Sequence, residues 1–221
     1  MPKVEKKTEE VVIKEMNFKY AIIHIEGDGD LVLNKMNASN TRQLVADDRK
    51  AASLWEAQHK NKWENIITSI HWKNGIPVED TNAECTEDLL YEMLNPANNA
   101  PCITSFGLKK SWGQAVVRQE VDKYSTKFDS AVNIVSEGGL IPVKFTEWRL
   151  DERLMSPKRG APITVQLNHF TGWSADIPIK YTENVYSINE IATIINYAGF
   201  SIGIGSGRTS GYGRYHIVGI T

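Results

Sequence analysis

Residues 18–25 (FKYAIIHI) alternate aromatic and aliphatic side chains with others, the two-residue period of a half-buried strand. The turn EGDGD follows, broken by Gly27 and Gly29, and then the run Leu31-Val32-Leu33-Asn34-Lys35-Met36. From there the period lengthens. Leu44, Ala51, Leu54 and Trp55 fall near helical spacing, and Asn40 or Thr41 supplies the cap of a helix reaching about His59. Residues 63–72 (WENIITSIHW) have mixed periodicity and read as a strand. Asn74-Gly75 and Pro77 break the chain, and residues 86–94 predict a short helix ending before Pro96. Past the polar NPANNAP and Cys102-Ile103, Ser105 opens a helix to about Val121.

Residues 131–135 and 140–145 read as two strands of a hairpin about Ser136-Glu137-Gly138-Gly139. Residues 163–167 and 174–181 add two more strands, and Pro178 assigns the second of these to a sheet edge. Ser187-Ile188-Asn189-Glu190 is a capping box; Ile188, Ile191, Ala192, Ile195 and Ala198 follow on one apolar face, with Gly199 as the C′ stop. Residues 200–204 and 215–220 then read as strands flanking a glycine-rich loop. Hairpin-joined strands mixed unevenly with helices predict an α+β fold rather than a doubly wound sheet.

Composition narrows the function classes. At 221 residues and 41% hydrophobic content the chain is long enough for a real core, and its formal net charge of −2 excludes a globally basic coat. Charge is divided unevenly: 12 basic against 17 acidic residues in 1–100, and 13 against 10 in 101–221. A polyanion site therefore belongs to the C-terminal half. Cys85 and Cys102 form neither a CxxC nor a disulfide framework, as expected of a reduced cytosolic protein. No apolar run approaches the ~20 residues that span a bilayer, and the charged N-terminus lacks the apolar region of a signal peptide. A soluble intracellular protein is expected.

The candidate chemistry concentrates in residues 197–217, where Gly199, Gly203, Gly205, Gly207, Gly211 and Gly213 interleave with Arg208, Tyr212, Arg214 and Tyr215. So many glycines imply positive φ or very close backbone approach. Arginine and tyrosine among them suggest a phosphate chain with stackable bases. Lys109, Lys110 and Arg118 lie on one predicted helix, and Arg149, Arg153, Lys158 and Arg159 lie on a segment between strands. Trp112, Trp148 and Trp173 are either base-stacking or core residues. His24 and His216 lie on the first and last predicted strands, and histidine is the natural place to look for acid–base catalysis because its ordinary pKa sits near working pH. EGDGD lacks the spacing of a calcium loop. No phosphate-binding or dinucleotide fingerprint occurs, because the glycine loop leads into a strand and not a helix. The residues point to a protein without covalent or metal chemistry and without a cofactor.

Three segments resemble the RAMP superfamily. IIHIEGDGDLVLNKM is similar to its opening strand, glycine and leucine pair, and PCITSFGLKKSWGQAV to its Pro-x-x-Ser helix start with a lysine. AGFSIGIGSGRTSGYGRYHI resembles its C-terminal glycine-rich loop and strand, most of all in a group of uncharacterised bacteriophage proteins. Ser206-Gly207 and the acidic N-terminal half depart from the family pattern. The resemblance implies a ferredoxin-like (RRM-like) antiparallel sheet core with helical and loop insertions. The expected layout is a flexible tail over 1–16 and one domain over 17–221, with insertions around 40–100 and 145–173.

That superfamily includes RNA-binding backbone subunits of CRISPR effector complexes, which polymerise along single strands, and metal-independent endoribonucleases that process their RNA. The expected function is non-enzymatic binding of single-stranded RNA or DNA by a phage-encoded protein in the host cytoplasm. Its partners would be further copies of itself and other phage or host nucleic-acid-processing proteins, with no membrane. The expected ligand-binding residues are Gly203, Gly205, Gly207, Arg208, Gly211, Tyr212, Gly213, Arg214, Tyr215, Lys109, Lys110, Arg118, Arg149, Lys158 and Arg159. Two alternatives remain: the endoribonuclease, in which His24 with Tyr212 or His216 would supply the base and acid, and a structural protein or CRISPR-subunit mimic whose acidic half meets a partner.

Overall fold

The structure, a computed structural model, describes residues 17–155 and 163–221. The tail expected over 1–16, and Lys158 and Arg159, lie outside the described residues. β1 (Phe18–Gly27) and β2 (Leu31–Leu33) are followed by α1 (Ala38–Val45), α2 (Arg49–Gln58), α3 (Lys62–Thr68) and β3 (His71–Trp72). Then come α4 (Thr81–Glu84), α5 (Glu87–Leu94), β4 (Pro101–Thr104), α6 (Ser105–Arg118) and α7 (Thr126–Ala131). The remainder comprises β5 (Val132–Ile134), β6 (Leu140–Lys144), β7 (Glu147–Met155), β8 (Ile163–Thr171), β9 (Ser174–Thr182), α8 (Ile188–Ser201) and β10 (Tyr215–Ile220).

The main sheet runs β10-β1-β9-β6-β4-β3, with β5 also on β9, and its ladders are antiparallel. Its centre is a ferredoxin-like β-α-β-β-α-β unit. β1 is the first strand, the β5/β6 lane the second, β9 the third and β10 the fourth, giving the spatial order fourth, first, third, second. α6 and α8 are the two crossover helices and pack against each other. Alternation along β1 explains the layering: Ile23 and Ile25 are buried toward the helices, whereas Tyr20 and Ile22 are exposed on the other face. β2, β8 and β7 form a second, three-stranded sheet. No helix among the described residues is long and apolar enough to cross a membrane.

Several elements differ from those the pattern predicts. The helix expected from Asn40 or Thr41 to His59 is two helices, each with its own cap: Asn37 accepts from the Asn40 amide, and Asp48 from those of Lys50 and Ala51. Residues 62–68 are helical because Asn61 caps the Trp63 and Glu64 amides, and Trp63, Ile66, Ile67 and Ile70 fit a helical face. α6 opens at Ser105 as expected, capped by the Thr104 hydroxyl, and ends at Arg118, short of Val121. β5 and β6 do not pair as a hairpin: both lie along β9, β5 against Ile179–Tyr181 and β6 against Ser174 and Ala175.

That arrangement also corrects the edge assignment of Pro178, since β9 is central. The N–H and C=O of Ile22, its partner on β1, point to Thr221, so Pro178 turns its own backbone toward the β5/β6 lane. There its carbonyl accepts from the Val135 amide, and the N–H it lacks falls at the break between the two short strands. Finally, α8 runs through Gly199 to Ser201, and residues 200–204 form no strand. Gly199 is a contact residue: a Cβ there would collide with the Tyr215 carbonyl of β10.

Candidate nucleic-acid interface

The glycine loop joins α8 to β10, and it is folded onto the protein itself. The Ser206 amide donates to the Val32 carbonyl (2.8 Å), the Gly213 amide to Asp30 (2.8 Å) and the Asp28 amide to Arg214 (2.9 Å), which ties the loop to β2 and the turn before it. The Ser111 hydroxyl of α6 donates to the Gly203 carbonyl (2.9 Å). Gly203, Gly205, Gly207, Gly211 and Gly213 all have positive φ. The close approaches are internal, however: Gly205 abuts the Val32 carbonyl, Gly207 the Tyr212 ring and Gly213 the Ile204 carbonyl. Gly203 and Gly213 are buried. Their amides serve the fold, so the expected cradle of backbone amides for phosphate is not what these two glycines build.

Both tyrosines are committed as well. Tyr215 is 1% exposed and its hydroxyl accepts from Trp112 Nε1 (3.0 Å), which leaves no face for a base. Burial raises its pKa above the ordinary phenol value. The Tyr212 hydroxyl accepts from Arg153 Nη2 (2.9 Å) and its ring stands edge-on to His169, with centroids 5.0 Å apart. Trp112 and Trp173 are core residues, and Trp148 is half-buried with its Nε1 donating to Asn168.

Arg149 belongs to an internal cluster rather than to a phosphate site. Its Nη2 donates to Asp30 Oδ2 (2.7 Å), and the same carboxylate receives Thr171 Oγ1 (2.9 Å) and lies 3.1 Å from Nδ1 of the fully buried His169. Burial pushes the Asp30 carboxyl up, but the hydrogen bonds from Arg149, Thr171 and His169 outweigh it and hold it below the ordinary range. The cluster fixes the backbone to which the glycine loop is tied.

Three expected basic residues do converge. Gly207 and Gly211, both left-handed, bracket a single tight turn over Arg208–Ser210. That turn sets Arg208 and Arg214 beside Arg118 at the end of α6, around a pocket of about 220 Å³ completed by Gln114, Ser201, Ile202 and Thr209. No carboxylate lines it among the described residues. Among the described residues the guanidinium salt bridges are those of Arg42, Arg149 and Arg153, so these three arginines carry uncompensated charge. Within the described residues, Arg214 Nη2 reaches only the Arg208 carbonyl, at 3.4 Å, and its Nη1 is closed off from solvent without an acceptor.

A second pocket of about 590 Å³ shares Gln114 and Arg118 and extends along α6 past Lys110, Lys109 and Phe106, with Ser125 and the acidic Asp129 also on its lining. Lys110, Gln114 and Arg118 follow at intervals of four, so they form one stripe. Lys109 is turned inward, its Nζ donating to the Asp129 carbonyl (2.7 Å). Gln114 and Thr209 were missed in the sequence, where nothing sets a lone glutamine or threonine apart.

The three groups of the ribonuclease alternative are held separately. His24 Nδ1 lies 2.7 Å from Asp176 and its Nε2 3.0 Å from the Thr221 hydroxyl, while His216 Nδ1 lies 2.6 Å from Asp28. Both stand on the open sheet face, whereas Tyr212 is held by Arg153 of β7 in the second sheet.

No protein-family model matches the sequence, and no curated protein matches it. Among solved structures, a chain in the cryo-EM structure of type III-B Cmr-beta bound to cognate target RNA aligns with 92% of this chain and 60% of its own length. The identity is 10% and the TM-score 0.45. This chain thus spans 60% of the length of that match. Cmr6 from Pyrococcus furiosus, a crystal structure, aligns with 92% of this chain and 100% of its own at 10% identity and a TM-score of 0.31. The ferredoxin-like assignment rests on the strand order and the two crossover helices.

Proposed function

We propose that this chain is a non-enzymatic binder of single-stranded nucleic acid of the RAMP type, and that the strand lies along α6 and across the glycine loop. One observation carries the reading. Arg118 from the middle of the chain and Arg208 and Arg214 from its end frame one pocket with no carboxylate among its described lining residues, and it shares Gln114 and Arg118 with the pocket along the Lys110 stripe. The positive charge sits in the C-terminal half although the whole chain is acidic. Such a surface binds phosphate through charge and guanidinium forks, without reading sequence. Residues 17–221 act as one unit in this reading, and successive copies bind side by side along the strand.

The test is fluorescence anisotropy with a labelled single-stranded RNA, and with DNA of the same sequence, over a series of salt concentrations. Each phosphate contact adds about −0.7 to the slope of log K against log salt for a single strand. Three or four contacts give about −2 to −3. Replacing Arg118 and Arg208 by glutamine removes about 1.4 of that slope. A double variant with unchanged affinity and slope overturns the reading. Sedimentation of the saturated complex on a long strand measures how many copies bind.

A further inference from the structure

We propose that, in the copy seated at the end of the bound strand, the three-arginine pocket takes a phosphomonoester dianion, the strand's terminal phosphate. The inference rests on the nucleic-acid reading and says which part of the ligand sits there. Its starting point is Arg214. A charged donor that is shielded from water and has no acceptor is costly, and the cost is relieved when an anion comes close. Among the described residues Arg214 Nη1 is such a donor, and the pocket that Arg214 lines adds two further guanidiniums and no carboxylate.

Charge and geometry then discriminate between kinds of phosphate. An internal phosphodiester has one negative charge and two non-bridging oxygens. A monoester has a charge of about −1.5 to −2 at neutral pH and three strong acceptor oxygens. Three guanidiniums without counter-charge match the monoester, and Gln114 and Thr209 supply neutral polar groups at the rim. The position along the surface agrees. The stripe runs from Lys110 through Gln114 to Arg118, where α6 ends, and the next charged side chains are Glu120 and Asp122. A strand laid along α6 therefore ends its favourable track at this pocket.

Two measurements test this. In the first, one single-stranded RNA 12-mer is prepared with a 5′-phosphate, with a 3′-phosphate and with neither, and a nucleoside monophosphate competes as the free source of the same group. One phosphorylated strand binds about tenfold tighter or more than the dephosphorylated one, the scale of a charge-assisted hydrogen bond. That preference disappears in Arg214→Gln and in Arg208→Gln. Equal affinities for all three strands overturn the inference while leaving the single-strand reading intact.

In the second, the melting temperature is followed against inorganic phosphate at constant ionic strength. Saturable stabilisation of the native chain that is absent from both variants supports the pocket, even should no strand bind. A phosphate response equal to that of chloride overturns it. Two separate variants guard against one failing to fold.

Discussion

Replacing Gly213 by alanine separates a loop shaped for the protein from one shaped for a ligand. A methyl group built there would collide with the Ile204 carbonyl oxygen, and Ile204 cannot retreat: its side chain is 3% exposed and its amide donates to the Gly213 carbonyl (3.0 Å). Relief requires the loop to move, which breaks that bond and the one from the Gly213 amide to Asp30, at about 1 kcal/mol each. Holding alanine at the positive φ of 68° adds about 1–2 kcal/mol. The sum is about 3–4 kcal/mol, or about 6–16 °C in Tm at ~2–4 °C per kcal/mol for a chain of this size. Gly211→Ala is the control, because its φ of 89° is also positive but a Cβ there meets nothing within 4 Å. It bears the backbone strain alone, about 1–2 kcal/mol and about 2–8 °C. Thermal unfolding followed by circular dichroism compares the two. Equal melting temperatures for the two variants, or a Gly213→Ala protein as stable as the native one, would refute the view that this loop is clamped to its own neighbours.

Other outcomes follow from the ion network beneath α1. Arg42 joins Glu56 (Nε–Oε1, 2.6 Å) and Glu64 (Nη2–Oε2, 2.6 Å), whose side chains are 8% and 1% exposed. Arg42→Met leaves two buried carboxylates unpaired and lowers stability in urea titration by about 3 kcal/mol; a loss below about 1 kcal/mol counts against the network. The same groups set the acid limit. Burial pushes the carboxyls of Asp30, Glu56 and Glu64 up, but hydrogen bonds, from Arg149 to the first and from Arg42 to the other two, outweigh it, so all three lie below their ordinary values. Each binds its proton more weakly folded than unfolded, and contributes stability that is complete above about pH 4.5 and is lost as pH falls through the folded values. The urea midpoint should therefore hold between about pH 6 and 5 and decline below about 4; a decline that begins near pH 6 would implicate histidines instead.

The proposed site has an unusual origin in the sequence. The glycines drew attention to residues 203–213, and their positive φ angles are real, but most serve contacts with Val32, Tyr212 and Ile204. Their consequence for a ligand is indirect. By folding the loop tightly they hold Arg208 and Arg214 beside Arg118, which lies about ninety residues earlier in the chain.

Local signals in the sequence were enough for β1, α5, α8 and β10, because alternation, the Thr86 cap and the Ser187–Glu190 capping box each act within a few residues. They also placed the positive charge in the C-terminal half. What no local signal carries is pairing. Whether residues 131–135 and 140–145 bond to each other or to β9, whether a proline can sit in a central strand, and what Gly199 serves are decided by what lies opposite: the break between β5 and β6, and the Tyr215 carbonyl against Gly199. The same holds for the charged groups. In the sequence Arg149 and Arg208 look alike; in the fold one is neutralised by Asp30, and the other faces a pocket with no carboxylate among the described residues. Composition fixes the number of charges, but only tertiary contacts determine which of them have partners, since pairing takes an approach of a few ångströms between residues far apart in the chain.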